Sequence, residues 1–124
     1  MEIPGMTQSL AATLVNGSAT AAGTTVIGTP PANTNLRKMV LSVTENATMA
    51  TAGENQVTIA LNGVTVFTDQ AFVPAVALAT NGLLYHRDLD FGALGFSAGN
   101  AGTLTATLGT ALATGSLTVN AYFD

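Results

Sequence analysis

Apolar and polar residues alternate along most of this 124-residue chain. Met39, Leu41 and Val43 alternate with Val40, Ser42 and Thr44, and Val57, Ile59 and Leu61 with Thr58 and Ala60. Tyr85, Arg87, Leu89 and Phe91 alternate with Leu84, His86, Asp88 and Asp90. Leu104, Ala106 and Leu108 flank Thr105 and Thr107, and Leu117, Val119, Ala121 and Phe123 flank Thr118, Asn120 and Tyr122. A period of two belongs to a strand with one buried face, so each run predicts a strand. Weaker strands are predicted near residues 9–15 and 19–27. The 20 threonines agree, because β-branched side chains suit a pleated surface.

The clearest turn is Asn62-Gly63, set between two alternating runs. Both positions of a two-residue hairpin turn need positive φ, which Asn and Gly accept. Such a turn puts Leu61 opposite Val64 and Ile59 opposite Val66, with all four on one face. Further turn signals are Asn16-Gly17, Thr29-Pro30-Pro31, Asn81-Gly82, Gly99-Asn100-Ala101-Gly102 and Thr114-Gly115. Residues 49–54 and 71–80 fit neither a helix nor a strand pattern well. The count is seven to nine strands, which fits two packed antiparallel sheets. The expected fold is all-β, a jelly-roll-like antiparallel β-sandwich. An immunoglobulin-like sandwich is the alternative, without that fold's Cys and Trp hallmarks. No repeat of 20 to 50 residues and no linker divides the chain. It reads as one domain over 1–124, with 1–8 as a candidate extended arm.

Composition narrows the function classes. Charged residues make up 8% of the chain, against about 25% in ordinary domains. Residues 3–36 and 92–123 contain none. Thr, Ser and Asn can hydrate such a surface, but a neutral surface of small residues also suits one that other subunits cover. Three basic residues against seven acidic ones, a net charge of -4, cannot displace the counterions of a nucleic acid. The absence of cysteine excludes disulfides and thiolate zinc sites. Met1-Glu2-Ile3-Pro4-Gly5 lacks the basic start and apolar run of a secretory signal. No stretch approaches the roughly 20 apolar residues of a spanning helix. The expectation is a protein without export, membrane or nucleic-acid partner.

Candidate chemistry centres on His86-Arg87-Asp88-Leu89-Asp90, the one charge-dense segment. On a strand, His86, Asp88 and Asp90 share a face. Alternate residues lie about 7 Å apart, wide for chelation of a metal. A polar strand face, or ion pairs to a neighbouring subunit, fits better. Arg87 falls on the apolar face and needs a carboxylate, with Glu45, Glu54 and Asp69 as candidates. Arg37 and Lys38 form a solvated strand start or a basic spot for an acidic partner. His86 is the sole imidazole. Gly95-Phe96-Ser97-Ala98-Gly99 matches the letters of a Gly-x-Ser-x-Gly elbow but is followed by a strand pattern and not by the helix that an elbow opens, and no phosphate loop occurs. An enzyme and a bound cofactor are therefore not expected. The sequons at Asn16 and Asn46 read as turn residues. The sequence has neither Thr-x-Thr ranks over successive turns, as in ice binders, nor the acidic loop of a calcium site.

Phe96-Ser97-Ala98-Gly99-Asn100 leads into Thr103-Leu104-Thr105-Ala106-Thr107, and Leu117-Thr118-Val119-Asn120-Ala121-Tyr122 closes the chain. An apolar strand, a Ser-Ala-Gly turn and Thr-rich alternating strands together resemble the small jelly-roll cement, or decoration, proteins of tailed-phage capsids. The Ala/Thr/Gly composition is similar too. The chain differs in lacking a charged N-terminal arm and in carrying Asn100 where such turns often carry Asp. The resemblance implies a homo-oligomer, a trimer or dimer, made in the host cytoplasm. On the outer surface of the virion it would bind the major capsid protein and bridge neighbouring capsomers. Interface candidates are Ile3, Met6, Leu10 and Leu14 in the neutral N-terminal region, together with Arg37, Lys38, His86, Asp88 and Asp90. A tail, pilus or surface-layer subunit, and a carbohydrate- or receptor-binding sandwich, are the other readings open to the sequence.

Overall fold

A computed structural model describes residues 12–43, 48–49, 56–70, 85–92, 95–100 and 102–124. These residues form eleven strands, two more than the upper end of the sequence count. The strands are β1 (Thr13–Ala19), β2 (Gly23–Gly28), β3 (Asn35–Val43), β4 (Thr48–Met49), β5 (Gln56–Leu61) and β6 (Val64–Gln70). They continue with β7 (Tyr85–Asp90), β8 (Phe96–Ser97), β9 (Leu104–Leu108), β10 (Leu112–Thr114) and β11 (Leu117–Phe123). The additional strands are short: β4 pairs β10 in a two-stranded ribbon, and β8 pairs the start of β3.

The other eight strands build two antiparallel sheets. One runs β1-β11-β3-β7 and the other β2-β9-β5-β6. Lettered B to I in chain order, they read B-I-D-G and C-H-E-F. The chain changes sheet at every connection between these eight strands except the β5–β6 hairpin. That is the strand order of a jelly roll, two Greek keys folded over one core.

The alternation observed in the sequence fills that core. Met39, Leu41 and Val43 of β3 and Leu117, Val119, Ala121 and Phe123 of β11 point inward from the first sheet. Val57, Ile59 and Leu61 of β5 and Leu104, Ala106 and Leu108 of β9 meet them from the second. Each side chain is almost fully buried, and burying a Val, Leu, Ile, Met or Phe contributes about 1.5–3 kcal/mol.

β-Bulges shift two registers, and in the predicted hairpin the shift departs from expectation. At the Asn62-Gly63 turn both residues have positive φ, 52° and 80°, and Leu61 pairs with Val64 as predicted. Beyond it the register shifts, so Ile59 meets Phe67 and Val66 is left as the extra residue. The four side chains therefore do not line one buried face; Val64 is exposed. In β3 the shift falls at Arg37, since Lys38 pairs with Tyr122 and Leu36 with Phe123. The extra residue lets Leu36 and Met39, three apart, both face the core.

The first strand lies later than predicted, at Thr13–Ala19, and Asn16-Gly17 sits in its middle rather than at a turn. The turn comes after Ala19, and the second strand begins at Gly23, not near residue 19. Gly17 serves packing: a Cβ there would lie 2.7 Å from the backbone oxygen of Ile27 in β2. The predicted turn at Asn81-Gly82, the ambiguous 71–80 segment, the 1–8 arm, Asn46 and the 50–54 part of the other ambiguous stretch lie outside the described residues.

The obstacle facing Gly17 is backbone, which cannot rotate away. Gly17→Ala is therefore expected to lower stability by about 1–3 kcal/mol, read as a lower urea midpoint at an unchanged slope. An equal midpoint for the two proteins would show that β1 and β2 can move apart freely.

Candidate functional site

The outer face of the first sheet gathers most of the predicted contact residues. Cross-strand pairing sets Leu14, Tyr122, Lys38 and Asp90 in one row across four strands. The next row is Asn16, Asn120, Val40 and Asp88, and the third is Ser18, Thr118, Ser42 and His86. Leu14, Lys38, His86, Asp88 and Asp90 thus share one surface, as the period of two requires. Lys38 Nζ lies 3.6 Å from Asp88, with both side chains half exposed. A pair so open to solvent adds little stability. Asp90 accepts the Gly92 amide at 2.8 Å, which closes the turn after β7. Among the described residues no three His, Asp or Glu side chains gather closely enough to hold a metal ion.

Arg37 does not join that surface. The bulge turns it toward the last residue, and its Nε donates to Asp124 at 2.5 Å. Its side chain is only 24% exposed, and the ion pair ties β3 to the residue after β11. The signal missed was the bulge, which takes Arg37 out of the alternation that Lys38 follows. Ile3, Met6 and Leu10 lie outside the described residues.

Arg87 finds its carboxylate in Asp69. Its Nε donates to Asp69 Oδ2 at 2.9 Å, and the Tyr85 hydroxyl donates to the same oxygen at 2.8 Å. The guanidinium also lies over the Tyr85 ring, 4.8 Å from its centre, a cation–π arrangement. Asp69 belongs to β6 and its two donors to β7, so the cluster ties the sheets together along one edge of the sandwich. Burial, then the hydrogen bond to Asp69 and the charge of that carboxylate, hold the Tyr85 phenol well above the usual tyrosine range, while Arg87 opposes the shift.

The outer face of the second sheet was not anticipated. The register places Thr24, Thr107, Thr58 and Thr68 in one row across β2, β9, β5 and β6. Beside it run Val26, Thr105, Ala60 and Thr65. No charged side chain stands in either row. The hydroxyls are paired rather than evenly spaced: Thr24 and Thr107 bond at 2.8 Å, and Thr58 and Thr68 at 3.2 Å. The row draws on four separate strands, so it shows only once the register is known.

No protein-family model, no curated protein and no solved structure matches the chain. Among the described residues no helix is long and apolar enough to cross a membrane, which leaves strand-built spans unaddressed.

The Tyr85 hydrogen bond yields a pH signature. With the folded-state value raised, Tyr85 keeps its proton in both states below about pH 10. Above that, the unfolded chain ionises first, so stability falls as pH rises toward the folded value. Tyr85→Phe is expected to lower stability by roughly 1–2 kcal/mol at neutral pH. The wild-type advantage should shrink as the pH rises from about 10 to about 12 in urea unfolding. An advantage that stayed constant over that range would contradict the assignment.

Proposed function

We propose that this chain is a structural virion protein of the cement or decoration kind, which binds the outer capsid surface and bridges neighbouring capsomers. The observation that supports this reading best is the outer face of the second sheet, a two-row surface of Thr, Val and Ala without a charge. A face of this kind loses little hydration when another neutral surface covers it, because no ion has to be desolvated. The jelly roll is one of the folds that viral capsid domains use, although fold alone does not decide function.

The mechanism is mechanical. A rigid sandwich gives up little conformational entropy on docking. Weak contacts repeated in a small homo-oligomer on a regular lattice add up through multivalency. The charged strip of Lys38, His86, Asp88 and Asp90 on the other sheet stays hydrated and supplies orientation more than affinity.

Purified particles of the virus that encodes the chain test the proposal. The protein should be present in fixed ratio to the major capsid protein and visible on the outer shell by cryo-electron microscopy. Thr58→Glu places a carboxylate on the neutral face, where pairing would leave it uncompensated. Its binding to shells lacking the protein should fall by roughly 100-fold, the equivalent of about 3 kcal/mol. Absence from particles, or undiminished binding by Thr58→Glu, would overturn the reading.

A further inference from the structure

The two edges of the sandwich are built differently. At one edge, β7 carries Arg87, Asp88 and Asp90 and is joined to Asp69 of β6. Charges of this kind keep foreign strands from pairing with an exposed edge. At the other edge, β1 and β2 carry no charge and no proline between Thr13 and Gly28. β2 is interrupted by a register shift between Val26 and Gly28. β1 is regular, with seven consecutive pairs to β11 and no shift. Among the described residues nothing pairs with its other side. Leu14, 51% exposed, and Val26, 63% exposed, flank this edge from the outer faces of the two sheets.

We propose that β1 pairs with β1 of a second copy, antiparallel about a two-fold axis at Asn16, so that the β1-β11-β3-β7 sheet continues across a dimer. The inference deepens the oligomeric part of the reading above and rests on it, but not on particle binding. The charge pattern leaves this edge open to a second copy. A chain of net charge -4 repels itself, but the β1 edge carries no charge and lies across the sheet from Asp88 and Asp90. The carboxylate next to it, Asp124 beyond the Thr13–Phe123 pair, is ion-paired with Arg37.

Register favours a second copy. Pairing about Asn16 sets Thr13 opposite Ala19, Leu14 opposite Ser18 and Val15 opposite Gly17, with no like charges facing. Asn16 already donates its side-chain amide to Asn120 at 3.2 Å. An amide has two N–H donors and a carbonyl that can accept twice. The two Asn16 side chains can therefore bond reciprocally and extend the Asn120–Asn16 row through the axis. Leu14, open in the single chain, packs beside Ser18 and Asn16 of the second copy. Main-chain hydrogen bonds supply the affinity, as in other strand additions.

The test is made on the full chain in buffer without particles, so it is independent of any failure to bind shells. Light scattering after size exclusion should give twice the 12.4 kDa chain mass. Asn16→Lys, which sets two ammonium groups face to face, should give a folded monomer, whereas Asp88→Asn on the far edge should remain dimeric. The chain has no native cysteine, so Asn16→Cys introduces a single thiol. Opposed residues across an antiparallel pair lie about 4.5–5.5 Å apart at Cα, within disulfide reach. With oxidised glutathione as oxidant, Asn16→Cys should crosslink to a dimer at least tenfold faster than Val64→Cys. A full chain that stays monomeric at high concentration overturns the proposal, as does a dimer that Asn16→Lys leaves intact or Asn16→Cys fails to crosslink.

Discussion

Side chains on a strand point alternately to opposite sides, so the core and the two outer surfaces of this molecule are set together. Once Leu41 and Val119 face inward, Val40 and Asn120 must face out beside them. A shift of one residue would exchange the two sets and bring Lys38 and Asp88 into the interior. The buried rows on β3, β11, β5 and β9 leave one register for each strand. The neutral threonine rows and the charged strip follow as the reverse sides of those strands.

The sandwich is held shut along its two edges by unlike means. At β6 and β7, a carboxylate shared by a phenol and a guanidinium bridges the sheets. At β1 and β2 the sheets come so near that Gly17 faces the Ile27 backbone and a Cβ on Gly28 would strike Val15. The first arrangement uses directional polar contacts and tolerates water. The second uses close backbone approach, which only residues without side chains permit.

Much of this was legible from pattern. The strands around Met39, Val57, Tyr85, Leu104 and Leu117 were readable because alternation is a local property that burial then enforces. His86, Asp88 and Asp90 could be placed together on one polar face for the same reason. Asn16-Gly17 misled because Asn-Gly is turn chemistry in isolation, whereas the need for Gly17 comes from Ile27, which neighbours it only in the fold. The Arg87 partner could be narrowed to three carboxylates; the structure pairs it with Asp69 across the sheets, and Glu45 and Glu54 lie outside the described residues. Bulges at Arg37 and Val66 carry no clear local mark, so the Arg37–Asp124 pair and the Ile59–Phe67 register waited for the structure.

The place of β11 in its sheet has a kinetic meaning. It lies between β1 and β3, and Thr13 is paired with Phe123, so the centre of that sheet joins regions of the chain more than a hundred residues apart. Until β11 has been synthesised, β1 and β3 have no strand to join them. Non-local pairing of this kind places all-β domains among the slower folders, in the range of milliseconds to seconds. Until then β1 and β3 lack the strand between them that completes their half of the core, and the sparse charge of the early chain gives their apolar sides little electrostatic protection. The nascent protein therefore depends on the speed with which β11 slots into place, and the same strand that completes the sheet ends the interval in which it is open to aggregation.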